Sequence, residues 1–356
     1  MTSQQARLGV RPDLAHVAPY VSPQQPARFR MNTNESPYPP PEAMVDEIVD
    51  EMREVALNRY PDRDAVSLYD LLAQHLEWPR SGLWIANGSN EVFMHLFLAF
   101  GGPRRTSMTF EPTYSLHTLI PSIAGTKTVQ ADRGEDLSFD VDAAVTAIRR
   151  NRPDIVIVCS PNNPSGDVTS IDAVRVVLAE TEGLVVVDEA YGEFAGEDDS
   201  ARSLVRKYPN LIITKTFSKA WRLAGVRIGY MMADESLVSD LARVRLPYHL
   251  SSPTQVVGRA ALRHAGDTLR FVEAICTERD RIAVELQALG FKTYPSKANF
   301  VLFEVDDPED MWNNLIQRDI LVRSYANVSR LEACLRVTAG LPEETDAFID
   351  AMRELA

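Results

Sequence analysis

Cysteine is scarce in this chain, which has three cysteines in 356 residues: Cys159, Cys276 and Cys334. Three thiols spaced so widely predict neither a disulfide framework nor a cluster of metal ligands. We therefore expect small buried side chains in a reducing cytoplasm, and no metal site.

Long apolar runs and an excess of basic residues are also missing. No stretch approaches the roughly 18 consecutive apolar residues of a membrane span, and the first ten residues contain no apolar signal core. We therefore expect a cytoplasmic protein without a membrane partner. The chain has 37 Lys and Arg against 50 Asp and Glu, a net charge of −13. This balance argues against nucleic acid as the main partner but leaves room for a local anion site.

The remaining composition, 45% hydrophobic and 24% charged, is that of a globular protein. Its length corresponds to about two domains. We predict an N-terminal arm that is part of a small domain (1–42), a large domain (43–246) and a small C-terminal domain (247–356). Apolar runs alternate with helical periodicity up to about residue 247, which predicts an α/β fold with a mainly parallel sheet. Beyond it, a long helical stretch (254–289) opens an α+β region.

A first candidate site lies at the start of an amphipathic helix. The residues Gly88-Ser89-Asn90 follow a predicted strand and precede apolar positions with a 3.6-residue period. A glycine followed by small polar residues leaves backbone N–H groups free at the positive end of the helix dipole, which suits a phosphate. A capped helix without a ligand explains the same pattern.

Two further segments follow predicted parallel strands. Residues 160–166, which include Asn163, form a Pro- and Gly-containing turn where ligands of such sheets bind. Asp188 ends an apolar strand, where an unpaired carboxylate would be costly to bury, and Tyr191 follows it. On its own this aspartate is equally typical of a metal ligand or a helix N-cap.

The most specific segment surrounds Lys219, which follows a strand and is flanked by small and hydroxyl residues. A lysine whose environment lowers its pKa can form a Schiff base with a carbonyl cofactor. Thr216, Ser218 and Arg227 offer a phosphate-binding group beside it. A lone lysine is usually a solvated surface residue, and it is the spacing of the group that favours chemistry.

Taken in order, these residues resemble the fold-type I pyridoxal-phosphate aminotransferases of class II. The matching positions are Gly88-Ser89-Asn90, Tyr114, Asn163, Asp188, Tyr191, Ser218-Lys219 and Arg227. Within that group the chain most resembles the histidinol-phosphate aminotransferase family. The stretches that carry this resemblance are Asn34-Glu35-Ser36-Pro37-Tyr38, Arg59-Tyr60-Pro61-Asp62, Glu111-Pro112-Thr113-Tyr114, Leu321-Val322-Arg323 and Leu335-Arg336-Val337-Thr338-Ala339-Gly340.

The resemblance implies pyridoxal 5′-phosphate as cofactor, attached to Lys219, which also transfers the substrate proton as general base and acid. It implies that Asp188 pairs with the ring nitrogen, that Asn163 and Tyr191 bind the ring hydroxyl, and that Tyr114 stacks on the ring.

The resemblance also implies a phosphate site and a substrate site. The phosphate residues are Gly88, Ser89, Asn90, Thr216, Ser218 and Arg227, with Tyr60 reaching in from the second subunit of a homodimer. The substrate residues are Arg336, Arg323, Asn34 and Tyr38.

The implied reaction is transamination between L-histidinol phosphate and 2-oxoglutarate in histidine biosynthesis. An aromatic amino-acid aminotransferase is the alternative, and a threonine-phosphate decarboxylase-like lyase shares most cofactor residues. The aminotransferase-like sensor domain of a transcription regulator would need a DNA-binding region, and the pattern already occupies essentially the whole chain. The chain departs from the family's usual pattern at Ser36 and Pro39, at Ser89-Asn90 and at Trp221-Arg222, and the first and third departures bear on the substrate side.

Overall fold

The computed structural model of the chain describes residues 9–15, 17 and 25–356. Residues 1–8, 16 and 18–24 of the predicted arm lie outside this description. The strands are β1 (Phe29–Arg30), β2 (Leu83–Ala86), β3 (Thr106–Glu111), β4 (Lys127–Asp132), β5 (Ile155–Cys159), β6 (Leu184–Asp188), β7 (Leu211–Thr216), β8 (Gly229–Met232), β9 (Phe300–Glu304), β10 (Ile320–Leu321), β11 (Arg323–Ser324) and β12 (Cys334–Thr338).

The helices are α1 (Glu42–Arg53), α2 (Val66–Leu76), α3 (Ser89–Phe100), α4 (Leu116–Ile123), α5 (Val141–Asn151), α6 (Ile171–Glu180), α7 (Gly192–Ala195), α8 (Arg202–Val205), α9 (Glu235–Leu241), α10 (Ser252–Arg263), α11 (Ala265–Leu269), α12 (Val272–Ala288), α13 (Pro308–Gln317) and α14 (Pro342–Leu355). None of the helices in the described part of the chain is long and apolar enough to cross a membrane.

A seven-stranded sheet in the order β2-β8-β7-β6-β5-β3-β4 forms the centre of the larger part of the molecule. All pairs are parallel except those of β8, which runs antiparallel to β2 and β7. Alternate side chains of β6 pack on opposite faces: Val185 and Val187 contact one core, and Val186 another. Helices cover both faces, which is why β5 and β6 are almost continuously apolar. The predicted α/β fold with a mainly parallel sheet is confirmed.

A second, three-stranded antiparallel sheet, β11-β12-β9, packs against α12, α13 and α14. Met31, next to β1, is buried in this second core, and β1 itself pairs with β10. The chain just before the larger sheet therefore packs with the C-terminal residues.

The long helical stretch predicted over residues 254–289 is helical, but it is not one helix. The structure divides it into α10, α11 and α12. The last break leaves Phe271 between α11 and α12, where its ring stacks on Tyr38 at 4.2 Å between centroids. Charge periodicity could not reveal this break, because its partner lies more than 200 residues away in the sequence.

Sheet order determines where the polar segments meet. Strands β5, β6 and β7 are neighbours, and their carboxyl ends lead into the segments that contain Asn163, Asp188 and Lys219. An apolar cluster that includes Tyr191, Ala220 and Phe300 joins this edge of the large sheet to the small one. The candidate site lies at this junction, as expected for ligands of parallel sheets.

Candidate active site

Lys219 lies in the turn after β7, with its amine directed at the junction. Nζ donates a hydrogen bond to the Thr33 carbonyl at 2.9 Å and lies 5.8 Å from the centre of the Tyr191 ring. Burial, followed by the nearby positive charge of Arg336, lowers the pKa of Lys219 to about 7, although Glu35 acts in the opposite direction. An amine with this pKa is available as a neutral nucleophile near physiological pH.

Asp188 is a buried carboxylate at the end of β6. Its Oδ1 accepts hydrogen bonds from the Thr214 hydroxyl at 3.1 Å and the Ala190 amide at 3.2 Å. Its Oδ2 lies 2.9 Å from Nε2 of His117, which is also buried. Sequence reasoning missed His117. Its position three residues after Tyr114 was the only local signal for it.

His117, Cys159 and Asp188 place potential metal-ligand atoms within 4.8 Å of one another. Burial raises the pKa of the Cys159 thiol to about 12, so without a metal the thiol stays protonated at neutral pH, and a metal ion would have to displace that proton. A metal-binding cysteine must be a thiolate. We assign no metal to this cluster.

Tyr191, Asn163 and Asn34 meet through their side chains. The Tyr191 hydroxyl accepts hydrogen bonds from Nδ2 of Asn34 at 2.8 Å and from Nδ2 of Asn163 at 3.5 Å. Burial raises the pKa of Tyr191, so its hydroxyl keeps its proton. Tyr114 is half-buried nearby, with its ring edge-to-face with His117 at 5.4 Å.

The predicted phosphate residues also converge. Gly88 has φ +84°, and a Cβ there would lie 2.5 Å from Nη2 of Arg227. A Cβ at Gly229 would lie 2.2 Å from the Ser89 amide nitrogen, so glycine permits this close approach. Ser89 and Asn90 begin α3, where the first amides have no acceptor within the helix.

The hydroxyl groups of Thr216, at the end of β7, and Ser218, in the turn after it, lie next to Arg227. We call these residues, together with Gly88, Ser89 and Asn90, the phosphate cradle. Ser218 Oγ accepts a hydrogen bond from Arg227 Nη1 at 3.0 Å and one from the Thr216 hydroxyl at 3.0 Å. The guanidinium and both hydroxyls therefore lie beside the amino end of α3, as anion binding requires.

Arg336 and Arg323 are directly paired across β12 and β11. Arg336 is 5% exposed. Its guanidinium donates to Oδ1 of Asn163, to the Tyr325 hydroxyl at 2.8 Å and to the Asn32 carbonyl at 2.7 Å. Its Nε is buried without a hydrogen-bond partner, and no described carboxylate forms an ion pair with it. Arg323 is half-buried, 5.9 Å from the Tyr325 ring centre. A buried cation without an anionic partner is typical of an anion-binding site.

Sequence reasoning missed Tyr325 and Asn32, whose contacts with Arg336 arise only in the folded chain. The last two predicted site residues occupy different environments. Tyr38 is half-buried and stacks on Phe271. Tyr60 is 80% exposed and stacks on Tyr248 at 4.4 Å between ring centres, away from the residues gathered around Lys219.

The lowered pKa of Lys219 predicts a pH dependence of the cofactor-free protein. Between pH 7 and about 10.4, its ordinary pKa, the unfolded chain binds a proton at this amine that the folded chain has released. The free energy of unfolding should therefore rise with pH in this window, by a few kcal/mol from this group. Urea unfolding of the apoenzyme and of Lys219→Met at pH 7 and pH 10 measures it. The free energy of unfolding of the wild type, minus that of Lys219→Met, should rise from pH 7 to pH 10. A value that stays constant would contradict the assignment.

The fold and this site are typical of the pyridoxal-phosphate-dependent enzymes. The model of the family described as "Aminotransferase class I and II" matches residues 28–352. Histidinol-phosphate aminotransferase of Mycobacterium avium is 46% identical to the chain, with 98% of this chain and 89% of that protein aligned. The enzyme of the same name from Corynebacterium glutamicum is 43% identical, with 98% and 96% aligned. The chain therefore belongs to the histidinol-phosphate aminotransferase family.

A solved structure supports the fold. Histidinol-phosphate aminotransferase from Sinorhizobium meliloti, in complex with pyridoxal-5′-phosphate, superposes with a TM-score of 0.88 over 99% of this chain and 100% of that one, at 23% identity. L-threonine-O-3-phosphate decarboxylase from Porphyromonas gingivalis superposes with a TM-score of 0.81 over 92% and 99%, at 20% identity. At these identities, the shared architecture does not distinguish a transaminase from a lyase.

Proposed function

We propose that this enzyme transfers the amino group of L-histidinol phosphate to 2-oxoglutarate, giving imidazole acetol phosphate and L-glutamate in histidine biosynthesis. The observation that carries this proposal is the pair Arg336 and Arg323, directly opposite each other on β12 and β11. Directly opposite residues extend to the same face of a sheet, and the Cζ atoms of Arg323 and Arg336 lie 5.9 and 5.7 Å from the centre of the Tyr325 ring. Two arginines placed in this way suit a phosphate dianion, whereas a single carboxylate needs one. Family membership points to the same substrate.

The residues present fit pyridoxal 5′-phosphate, because the cradle at Gly88 admits close approach of an anion to the amino end of α3. When bound, this cofactor supplies an electron sink for the carbanion at the substrate Cα. Ser89, Asn90, Thr216, Ser218 and Arg227 would hold its phosphate. Asp188 would pair with its ring nitrogen, and Asn163 and Tyr191 would bind its ring hydroxyl.

His117 supports the role of Asp188 from the side opposite Thr214. It lies 2.9 Å from Oδ2, while Thr214 donates to Oδ1. These contacts hold the buried carboxylate in one orientation. Held in this way, a carboxylate can stabilise a positive charge on a ring nitrogen without itself moving.

Lys219 would attach the cofactor and carry the substrate proton. With a pKa of about 7, Nζ can accept a proton from the substrate Cα and return it at neutral pH. The Thr33 carbonyl, 2.9 Å from Nζ, orients the amine. The buried surroundings exclude water from the proton transfer.

Arg336 would bind both substrates in turn. Its buried Nε lacks an acceptor, so an incoming phosphate or α-carboxylate oxygen would supply one. The phosphate of histidinol phosphate would lie between Arg336 and Arg323, and glutamate would place its α-carboxylate on Arg336. One arginine would thus serve two unlike anions.

The direct test is the ratio of kcat/KM for histidinol phosphate to that for phenylalanine, each with 2-oxoglutarate. We expect histidinol phosphate to be favoured by at least about 100-fold, since a charge-assisted phosphate pair contributes about 1.5–3 kcal/mol per contact. A preference for phenylalanine would contradict the proposal. Release of CO₂ from threonine phosphate would instead indicate a lyase.

A homodimer with shared active sites is part of this proposal. Large apolar side chains stand exposed near Tyr60: Leu57 is 75% exposed, Leu246 71% and Tyr248 39%. Leu57 and Leu246 lie within three residues of the stacked pair Tyr60 and Tyr248, and exposed apolar side chains of this kind are typical of a surface covered by a partner. A second copy of the chain would cover them and bring Tyr60 to the partner's phosphate cradle. A cytoplasmic location fits three cysteines that are free thiols.

Subunit complementation tests the shared site. Tyr60→Ala and Lys219→Ala are each expected to be poorly active, but co-expressed mixed dimers should regain activity, because one of their two sites then contains neither substitution. If Tyr60 serves its own subunit, mixed dimers have no intact site and regain nothing. Analytical ultracentrifugation reports the assembly independently, and a monomer at working concentration would contradict the dimer.

A further inference from the structure

Arg222 lies three residues after Lys219 in an unusual backbone conformation. Its φ is +62°, in the left-handed region that favours glycine, and its side chain is largely buried, with the residue 8% exposed. Its amide donates to the Lys219 carbonyl at 3.1 Å, so the turn that presents the lysine also positions Arg222. A bulky residue held in this conformation indicates that its side chain is engaged elsewhere.

The guanidinium of Arg222 joins two distant segments. Nη1 donates to the Pro39 carbonyl at 2.7 Å, and Nη2 to the Asp267 carbonyl at 2.7 Å. Its Cζ lies 4.9 Å from the centre of the Phe271 ring, which also stacks on Tyr38. Arg222 thus contacts the chain before α1, the chain around α11 and the lysine turn at once.

The segment that ends at Pro39 forms one wall of the active site. The Asn32 carbonyl accepts a hydrogen bond from Arg336, and the Thr33 carbonyl accepts one from Lys219. The Asn34 side chain donates to the Tyr191 hydroxyl. These contacts place residues 32–34 against the predicted catalytic and substrate-binding groups, and Arg222 holds the other end of the same segment.

We propose that Arg222 is a positioning residue that fixes residues 32–39 against the lysine turn and thereby sets substrate affinity. Its side chain contacts neither the reacting lysine amine nor the phosphate cradle. Its effect on the substrate is therefore exerted through residues 32–39, the wall of the active site. Because Arg227, Ser218 and Gly88 are held by other contacts, cofactor affinity should not depend on Arg222. The kinetic part of this inference rests on the proposed function.

Two substitutions separate the effect of the Arg222 side chain from the effect of its backbone conformation. Arg222→Ala removes the guanidinium but keeps a residue that is unfavourable at positive φ, whereas Arg222→Gly removes both. We expect KM for histidinol phosphate to rise about tenfold in each variant, as the loss of two buried hydrogen bonds implies. We expect kcat to change by less than about threefold, and cofactor affinity and visible absorption to stay unchanged. Arg222→Lys, which reaches one carbonyl, should give an intermediate KM.

The matched control is Arg318→Ala, because Arg318 also donates to a backbone carbonyl, that of Asn314, but lies at the end of α13, where its other partner is Glu354. It should leave KM unchanged. A wild-type KM in the Arg222 variants, or in Arg222→Gly alone, would overturn the proposal.

Hydrogen exchange tests whether Arg222 holds residues 32–39 in place, and it does not depend on catalytic activity. In the holoenzyme, amides of residues 31–41 should exchange about tenfold faster in Arg222→Ala and Arg222→Gly than in wild type and Arg318→Ala. Unchanged exchange would overturn the positioning role even if the kinetics changed. If wild type fails to turn over histidinol phosphate, the proposed function fails, and the exchange result still decides the role of Arg222. If Arg222→Ala does not fold, Arg222→Gly, which has no residue strained at positive φ, provides both measurements.

Discussion

Replacement of Lys219 by alanine is expected to lower kcat by about 10⁴-fold or more, since general acid–base transfer alone contributes up to about that factor. The structure gives the reason: the amine is buried, lies 5.8 Å from the Tyr191 ring centre, and has a pKa of about 7 because of its burial and the charge of Arg336. Purified wild type should absorb in the visible, and borohydride should fix its cofactor to the protein. Both signals should be lost in Lys219→Ala.

Lys215 provides the matched control for this experiment. It lies on β7, four residues before Lys219, and its amine is 3.4 Å from Glu189 and 3.6 Å from Glu193. These carboxylates raise the pKa of Lys215, so it remains charged and cannot serve as a nucleophile. Lys215→Arg should keep borohydride-fixed cofactor and turnover. Activity retained in Lys219→Ala would rule out the assignment of the lysine.

The second large effect is expected at the paired arginines. Arg336→Ala should lower kcat/KM for both histidinol phosphate and glutamate by about 10²–10³-fold, because loss of a buried charged hydrogen-bonding partner costs roughly 2–5 kcal/mol. Arg323→Ala should lower kcat/KM for histidinol phosphate by about tenfold or more and for glutamate by less than about threefold. Half-reactions measured separately with each substrate distinguish the two.

The different response of the two substrates is what tests this model. Among the described residues, no acceptor lies near the buried Nε of Arg336. Arg323, opposite it on β11, is only half-buried. If Arg323→Ala affected both substrates equally, Arg323 would not be specific for the phosphate. If Arg336→Ala left glutamate unaffected, the α-carboxylate would bind elsewhere.

Much of this architecture could be predicted from local patterns. The apolar runs of β5 and β6 and their polar endings indicated a sheet covered on both faces with chemistry at its carboxyl edge, because strand period and turn composition are local properties. The clustering of Gly88, Ser218 and Arg227 followed from the resemblance to a known family. The break at Phe271 could not be predicted, since the stacking contact with Tyr38 that accompanies it joins residues more than 200 positions apart in the sequence.

The contacts of Asp188 and Arg336 could not be predicted either, because their partners are also distant in the sequence. His117 meets Asp188 across 71 residues, and Asn32 meets Arg336 across 304. Neither separation leaves a periodic signal in the sequence. The contact between Arg222 and Pro39 is a further case. Nothing in the sequence marks Arg222 as a residue with a left-handed backbone conformation.

The sequence by itself determined the identity and order of the reactive groups: a glycine just before α3, a carboxylate at the end of one apolar strand, and a lysine after the next strand along the chain. Only the tertiary structure decided their electrostatic states and orientation. The pKa of Lys219 is lowered because folding buries it beside Arg336, 117 residues further along the chain. Within the described residues, Arg336 has no anionic partner, because its neighbours in space are a tyrosine, an asparagine and a backbone carbonyl. Burial and charge proximity are properties of packing, and packing joins residues that are far apart in the sequence.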